Sequence, residues 1–377
     1  MGAMERISFS NSKQPYRKPR TKLVVGAFVL VIVSIILFAV AVSGKLRKGP
    51  PLSQVVVVNT EATSTERLVP RLLDGILVPP GQEAFMPHAS MIDNQADARP
   101  WSGISKASLV IESPVEGGIT RLLAFFDATT TVPEIGPVRS ARPYFVDWAK
   151  GWGALYFHVG GSPDALSMIK SFGKDFGDVN EMFRGFTFWR SSRAAPHNVY
   201  TSSDRMNAIQ TSLGFASSTA KVAWHFQDSA TSTTRADGAN ARVQYGGSYS
   251  ITWQYDPTQN AYVRKQNNKN QLEKDGTPIV AKNVVVIKTD ATVLDSYGRL
   301  RIRTTGSGQA VGYRDGNRYV ISWHRFANEP MRFEGEDGTE FLFARGNTWI
   351  QVTTDDRIFA GLAPASTTTS STRGLSQ

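Results

Sequence analysis

The feature that most constrains this chain is an apolar segment of 21 residues, Leu23–Ser43, which contains no charged side chain. As a helix rising about 1.5 Å per residue it would be about 31 Å long, enough to cross a hydrocarbon core of about 30 Å. The apolar part of a cleavable signal peptide usually runs only about 7–15 residues. We therefore predict an uncleaved transmembrane helix rather than a leader that is removed.

The charge of the chain is concentrated beside this segment. The formal net charge is +10 over 377 residues, but residues 1–48 carry a net charge of +8 and the remainder only +2. Six Lys or Arg side chains precede the span and three follow it closely, which favours a cytoplasmic N-terminus and an extracytoplasmic C-terminal part. The charge therefore indicates a single-pass protein of the cell membrane and not a nucleic-acid-binding protein. The expected partners are the membrane itself and a cell-wall polymer or an envelope protein.

Composition excludes several kinds of site. The chain has no cysteine, which rules out disulfides, a thiol nucleophile and a cysteine-based zinc site. The five histidines show no metal-ligand spacing, and no phosphate-binding loop motif is present. We therefore expect neither a metal nor a cofactor.

The region beyond the span contains ample apolar material for a packed core, since 41% of the chain is hydrophobic. Stretches rich in Ser, Thr, Gly and Pro mark the predicted boundaries. The predicted segments are a cytoplasmic basic tail (1–22), a transmembrane helix (23–43), a stalk (44–67), an α/β domain (68–214), a polar linker (215–242), a β-rich domain (243–360) and a disordered tail (361–377).

The pattern predicts an α+β fold, with a mixed α/β first half beyond the span and an antiparallel, β-rich second half. In the second half, short runs of β-forming residues alternate with turn residues. Strands are predicted at Tyr249–Tyr255, Tyr262–Arg264, Val284–Lys288 and Leu300–Arg303, with hairpin turns at Asp315-Gly316 and Asp337-Gly338.

Polar residues follow the predicted strand at Ala89–Ile92. Asp93 and Asn94 stand directly at its exit, and Arg99 follows shortly after. Side chains at a strand exit are well placed to bind a ligand. The structural alternative is an Asx turn, in which Asp93 or Asn94 bonds the backbone two residues on.

Two carboxylates flank a predicted hairpin turn at Gly117-Gly118. Glu112 and Glu116 are followed by Thr120 and Arg121. Paired carboxylates in different environments are what general acid/base work on glycosides requires. In a regular strand the two would share a face, but Pro114 lies between them and makes that regularity doubtful. The alternative is a Glu–Arg pair that fixes the hairpin.

Two arginines, Arg139 and Arg142, flank Ser140 at the start of a predicted helix, Ala141–Ala149. Forked guanidinium donors and free backbone N–H groups at a helix start can meet one anion. Ser140 could instead be the helix N-cap, and the arginines could pair with Glu112 or Glu116.

The next polar group follows a predicted buried strand, Ala154–Val159. His158 is followed by Gly160, Gly161 and Ser162, then by residues at helical spacing, which is a plausible anion-binding geometry. The alternative makes Ser162 the N-cap and Pro163 the first helical residue. His197, in the string Pro196-His197-Asn198, is the second histidine expected near a polar site.

The candidates can be collected by role. The candidate catalytic residues are Glu112, Glu116 and His158. The candidate ligand-binding residues are Asp93, Asn94, Arg99, Glu116, Thr120, Arg121, Arg139, Ser140, Arg142, Gly160, Gly161, Ser162 and His197.

These strings together resemble a known family. The sequence Val115-Glu116-Gly117-Gly118-Ile119-Thr120-Arg121, the sequence Gly136-Pro137-Val138-Arg139-Ser140-Ala141-Arg142 and the string Pro196-His197-Asn198 are similar to the YerB-like family of predicted bacterial lipoproteins, a domain of unknown function. The resemblance covers about Leu68 to Thr354 and implies an envelope location. Members are often tethered by a lipidated N-terminal cysteine, which this chain lacks, and the resemblance supplies no catalytic residue.

The leading hypothesis is an extracytoplasmic binding or scaffolding protein for an anionic or cell-wall ligand. The alternative is a hydrolase or transferase acting on an envelope glycan or phosphodiester, with Glu112 and Glu116 as acid and base. A third interpretation makes the arginine and acid clusters purely structural.

Overall fold

The computed structural model describes residues 67–354, except 85, 216–220, 222, 232, 236–237 and 247–248. The predicted cytoplasmic tail, the predicted span Leu23–Ser43, the stalk up to residue 66 and the C-terminal tail lie outside the described residues. Among the helices within the described ranges, none combines the length and the apolar character needed to cross a membrane.

Three α-helices occur in the described part of the chain. They are α1 (Pro143–Gly151), α2 (Pro163–Phe172) and α3 (Ser203–Ser212). Short 3₁₀ turns occupy Ala96–Ala98, Ile104–Lys106, Glu116–Gly118, Gly173–Asp175 and Gly185–Thr187.

Strands make up most of the remaining regular structure. The first half contributes β1 (Val69–Pro70), β2 (Leu77–Val78), β3 (His88–Asp93), β4 (Leu109–Pro114), β5 (Thr120–Phe126), β6 (Leu155–His158), β7 (Gly177–Asn180), β8 (Trp189–Arg190) and β9 (Val199–Tyr200). The second half contributes β10 (Phe226–Gln227), β11 (Ala241–Gly246), β12 (Tyr249–Asp256), β13 (Ala261–Gln266), β14 (Lys269–Asn270), β15 (Val280–Ala281), β16 (Asn283–Lys288), β17 (Ala291–Val293), β18 (Leu300–Ile302), β19 (Gly306–Arg314), β20 (Asn317–Arg325), β21 (Arg332–Gly335), β22 (Phe343–Ala344) and β23 (Thr348–Thr353).

A ten-stranded sheet runs through both halves in the order β21-β20-β19-β16-β23-β4-β5-β3-β6-β7. The fold is thus α+β with a β-rich second half, as predicted. The expectation that the second half is antiparallel is wrong for β23, which lies parallel to both β16 and β4. The physical reason is that β23 inserts between the halves by a long connection, whereas antiparallel neighbours need only a short hairpin.

The large sheet has an apolar core on each face. Along β5, Leu123 and Phe125 pack in the core shared with α1 and α2, while Leu122 and Ala124 pack in the opposite core. This follows from the alternation of side chains along a strand. The opposite core also contains residues of α3 and of the smaller sheet built from β11–β15.

Several local predictions are confirmed. β4 and β5 form the predicted hairpin, and Gly117 and Gly118 in its turn both have positive φ, which glycine adopts without steric cost. The four strands predicted in the second half occur as β12, β13, β16 and β18, and Asp315-Gly316 joins β19 to β20.

The two predicted helix starts differ in outcome. Ser162 caps α2, accepting a hydrogen bond from Ala165 N at 3.3 Å, and Pro163 is its first residue. The alternative that Ser140 caps α1 is wrong, because that helix begins only at Pro143 and Arg142 occupies the cap position.

Candidate functional site

The β4–β5 hairpin divides the predicted polar residues between the two faces of the large sheet. Glu112 lies two residues after Val110 and shares its face, and Thr120 lies two residues before Leu122 on that same face. Arg121 alternates with them and points to the side of α1 and α2. The predicted residues therefore form two clusters, not one cleft.

The first group, here called the arginine cluster, consists of Arg121, Arg139, Arg142, Asp93 and Glu116. Arg142 Nε donates to Glu116 Oε2 at 3.0 Å, and Arg121 Nη2 lies 3.4 Å from Glu116 Oε1. Arg139 Nε lies 3.0 Å from Asp93 Oδ2, close enough for an ion pair although not in hydrogen-bond geometry. Three guanidinium groups thus face two carboxylates among these five side chains.

The electrostatics of this cluster follow from its partial burial. Burial alone would raise the pKa of Glu116, but the hydrogen bond from Arg142 and the charge of Arg121 lower that pKa to about 2. Burial and repulsion from Arg142 lower the pKa of Arg121 to about 10, although the charge of Glu116 opposes this. Arg121 therefore carries its positive charge in a group where three guanidinium groups face two carboxylates.

The cluster is reached through the turn that follows β6. Ala141 N donates to Gly160 O at 3.0 Å, and Ser162 N donates to Ala141 O at 3.2 Å, so the Gly160–Ser162 turn is bonded directly between Ser140 and Arg142. Arg142, Ser140, Gly160 and Gly161 are all partly exposed. The turn and the start of α2 therefore form one border of the arginine cluster.

His158 is fully buried beneath this turn. Its Nδ1 lies 2.6 Å from Gly160 O, and its Nε2 lies 2.7 Å from Asp178 Oδ1. Both ring nitrogens are engaged, so His158 supports the turn and is not a free catalytic base.

Asp93 links the cluster to the predicted histidine at position 197. His197 Nδ1 lies 2.7 Å from Asp93 Oδ2, and Gln95 N donates to Asp93 Oδ1 at 3.1 Å. The latter bond is the Asx turn considered from the sequence. Asp93 holds Arg139 and His197 together and also fixes its own turn, so both interpretations of this residue apply.

The second group, here called the Glu112 cluster, lies on the opposite face and is centred on a fully buried carboxylate. Glu112 Oε2 accepts a hydrogen bond from Arg264 Nη2 at 2.7 Å, and both side chains are fully buried. The remaining donors to the Glu112 carboxylate are Thr120 Oγ1, Tyr249 OH, Asn94 Nδ2, Gln351 Nε2 and Trp349 Nε1.

Arg264 lies among three tryptophan rings, with its guanidinium carbon 5.1 Å from the centroid of Trp349, 5.3 Å from that of Trp101 and 5.8 Å from that of Trp253. Such cation–π contacts partly replace the water that the buried charge has lost. Burial would raise the pKa of Glu112, but the charge of Arg264 and the surrounding donors lower it below its ordinary value. Glu112 is therefore a buried anion with a matched counterion.

This geometry does not support the acid–base pair of the hydrolase alternative. Glu112 and Glu116 lie on opposite sides of the sheet, and the pKa of each is lowered. Such a pair needs one carboxyl that keeps its proton near neutral pH. Neither carboxyl meets that requirement.

Asn94 and Arg99 border a small cavity of about 170 Å³ next to the Glu112 cluster. The guanidinium of Arg99 lies 5.7 Å from the ring centroid of Tyr249, and Arg99 also donates to Gln266. Asn94 Oδ1 is buried and accepts no hydrogen bond from the described residues. These two residues therefore belong with Glu112 rather than with the arginines.

Sequence reasoning missed the partners supplied by the second half. Arg264 and Tyr249, which complete the Glu112 cluster, were not among the candidates, nor was Asp178, the partner of His158. A signal for Arg264 exists: in β13 it lies two residues after Tyr262, which is fully buried, so both share the inward face. Its pairing with Glu112, which is 152 residues away, has no local signal.

Comparison with known proteins places the chain in a family. The model for the protein of unknown function DUF3048, N-terminal domain, matches residues 75–216, and that for the DUF3048 C-terminal domain matches residues 241–350. The chain belongs to this family.

A curated relative and a solved structure agree with this assignment. YerB of Bacillus subtilis (strain 168), a predicted lipoprotein, is 32% identical over 276 residues, which cover 71% of this chain and 81% of YerB. The crystal structure of the YerB protein from Bacillus subtilis has a TM-score of 0.69 at 30% identity, covering 76% of this chain and 97% of that one. The YerB-like resemblance seen in the sequence is confirmed.

Proposed function

We propose that this protein is a membrane-anchored, extracytoplasmic protein of the cell envelope that binds an anionic ligand at the arginine cluster. The envelope location is supported by the relative YerB, which is named as a predicted lipoprotein. Because the present chain has no cysteine to carry a lipid, we assign its anchoring to the span Leu23–Ser43.

The observation that carries the binding proposal is the excess of guanidinium groups over carboxylates at the arginine cluster. The side chains of Arg139 and Arg142 are 21% and 11% exposed, so a ligand can reach them from solvent. Arg121 lies deeper, and its Nε has no partner among the described residues. An anion would offset the repulsion that lowers the pKa of Arg121.

Guanidinium groups favour phosphate and carboxylate, because their planar forks donate two parallel hydrogen bonds to such anions. The start of α2, next to Gly160–Ser162, adds the positive end of a helix to the same surface. A phosphate-bearing wall polymer or an acidic peptidoglycan fragment therefore suits the site.

The test is isothermal titration calorimetry of the full chain, held in phosphatidylcholine nanodiscs, with a glycerol phosphate oligomer and, separately, with muropeptides. We expect the double substitution Arg139→Ala and Arg142→Ala to weaken binding about tenfold or more, since hydrogen bonds to charged groups contribute about 1.5–3 kcal/mol each. The melting temperature should fall by only a few degrees, because Glu116 keeps Arg121 and Asp93 keeps His197 as partners.

The matched control is Arg242→Ala with Lys269→Ala, which removes two exposed positive charges from the smaller sheet. This control should leave binding intact. Retained binding in the Arg139/Arg142 variant, together with a large fall in its melting temperature, would show that these arginines are structural and would overturn the proposal.

A further inference from the structure

Exposed apolar side chains border the arginine cluster at the Gly160–Gly161 turn. Met182, Phe183 and Phe186 are 69%, 78% and 68% exposed, and Leu166 is 36% exposed. We call these four residues the apolar rim. Apolar groups concentrated on a surface in this way mark interaction sites.

The apolar rim is bonded to the turn and is not merely near it. Asn180 Oδ1 accepts hydrogen bonds from Gly160 N at 3.0 Å and from Met182 N at 3.2 Å. A Cβ built on Gly160 would lie 3.5 Å from Met182 Sδ, and one on Gly161 would lie 3.2 Å from Leu166 Cδ2. Met182 and Leu166 of the rim therefore lie against the turn that borders the arginine cluster.

A second exposed apolar element lies near Glu116. In the β17–β18 hairpin, Val293 and Tyr297 are 64% and 82% exposed. A Cβ built on Gly298 would lie 4.0 Å from Glu116 Cβ. The hairpin therefore lies on the Glu116 side of the arginine cluster, and the rim lies on its Gly160–Gly161 side.

Three acidic side chains near the two apolar elements have polar partners. Glu181 pairs with Arg190 at 2.8 Å, Asp295 pairs with Arg299, and Asp178 contacts His158. Arg205 adds positive charge behind the rim, donating to Phe186 O at 2.8 Å. Asp164, in the first turn of α2, is exposed and adds one negative charge, so the positive charge of this surface is concentrated at the arginine cluster and at Arg205.

We infer that the anion bound at the arginine cluster is the phosphate of a lipid at an anionic bilayer surface, with the apolar rim inserted among the acyl chains. This rests on the proposed function, which it deepens by naming the ligand class. Membrane-surface proteins combine basic groups for anionic headgroups with Trp, Phe or Leu for the headgroup–acyl boundary.

The position of the predicted span supports a bilayer as the partner. Only 23 residues separate Ser43 from Arg67, the first described residue. Fully extended, they reach at most about 80 Å, which limits how far the described domain can lie from a bilayer that holds the span and raises its effective concentration there.

The test places one fluorophore on the rim of the full chain. Because the chain has no cysteine, Phe183→Cys creates a single site for an environment-sensitive dye, and Lys269→Cys on the smaller sheet gives the control site. Each labelled protein is reconstituted, one chain per disc, in nanodiscs of phosphatidylcholine alone or mixed with phosphatidylglycerol. The readouts are the emission shift and quenching by doxyl-labelled acyl chains.

We expect a blue shift with quenching for the label at position 183 in the phosphatidylglycerol discs, no such change in phosphatidylcholine discs, and none for the label at position 269. Arg139→Ala with Arg142→Ala should abolish the change, whereas Arg242→Ala with Lys269→Ala should not. Equal signals in both lipids, no signal, or a blue shift without quenching, which indicates a protein contact, would each overturn the inference. If the glycerol phosphate oligomer still binds in any of those cases, only the lipid inference fails.

Discussion

Glu112 and Glu116 lie four residues apart in one hairpin, yet they occupy opposite kinds of environment. Glu112 is fully buried and its counterion Arg264 is equally buried. The side chain of Glu116 is 26% exposed and contacts two arginines, Arg121 and Arg142. Both carboxylates are ionised, but Glu112 has a fully buried counterion, whereas Glu116 belongs to a partly exposed group in which three arginines face two carboxylates.

This difference separates a structural ion pair from a binding site. In a buried ion pair each charge depends on the other, and removal of one partner leaves the other charge stranded. A partly open group with excess cations retains the capacity to bind an anion. The access of solvent, rather than residue type, distinguishes the two clusters.

The largest expected effect concerns the buried Glu112–Arg264 pair. Glu112→Gln keeps the shape of the side chain but leaves the charge of Arg264 buried without its counterion, so we expect the free energy of unfolding to fall by about 3–5 kcal/mol. Urea denaturation followed by tryptophan fluorescence measures this.

The matched control for that substitution is Glu273→Gln. Glu273 is also buried, but it accepts hydrogen bonds from the backbone of Gly103 and Ser105, and burial raises its pKa. Because the protein already disfavours its charge, neutralising it should cost clearly less. Equal losses for the two variants would mean that the Glu112–Arg264 pair has no special structural role.

A double-mutant cycle tests whether Glu112 and Arg264 stabilise the fold as a pair, and its expected effect on the free energy of unfolding is smaller. Arg264→Met alone should strand the Glu112 carboxylate, but combined with Glu112→Gln it leaves no buried charge at this position. We therefore expect the double variant to lose about 1–3 kcal/mol less than the sum of the two single losses. Simple additivity of the three unfolding free energies would show that the two residues act independently.

The local part of the fold was predictable because its signals are short in range. Gly117-Gly118 predicts the hairpin turn, and the string Ser162-Pro163 predicts the start of α2. The insertion of β23 between β16 and β4 was not predictable, because strand order depends on contacts between residues more than 200 positions apart, such as Thr348 and Leu109. That insertion also brings Trp349 and Gln351 to Glu112.

In the candidate site, too, local contacts were predictable from the sequence and long-range contacts were not. The pairing of Arg142 with Glu116 was one of the alternatives stated from the sequence. The separation of Asp93 from Asn94 follows from strand alternation, since neighbouring side chains point to opposite faces, but the sequence analysis grouped them together. Arg264 could be recognised as inward-facing from its spacing to Tyr262, whereas its partner could be identified only from the folded chain.

The smallest expected effect concerns Glu116, in the partly exposed arginine cluster, and depends on pH. The pKa of Glu116 is about 2 in the folded protein, below its ordinary value of 4.5, so its charge stabilises the fold above about pH 4.5. That contribution is lost as the pH falls toward 2. Because the side chain is partly exposed, we expect Glu116→Gln to lower the unfolding free energy by only about 1 kcal/mol at pH 6.

The measurement compares urea unfolding of the native protein and of Glu116→Gln at pH 6, 4 and 3, with Glu336→Gln as a control at an exposed carboxylate. The difference between native protein and Glu116→Gln should shrink steadily with falling pH, because the Glu116 carboxyl of the unfolded chain takes up a proton below about pH 4.5 while the folded protein still holds it ionised, and Glu336→Gln should differ little throughout. A difference that persists unchanged at pH 3 would mean that Glu116 is held by its shape and not by the arginines. In that case Arg121 and Arg142 would lack a stabilising anion in the free protein, and the contrast with the matched pair of Glu112 and Arg264 would become larger than the structure indicates.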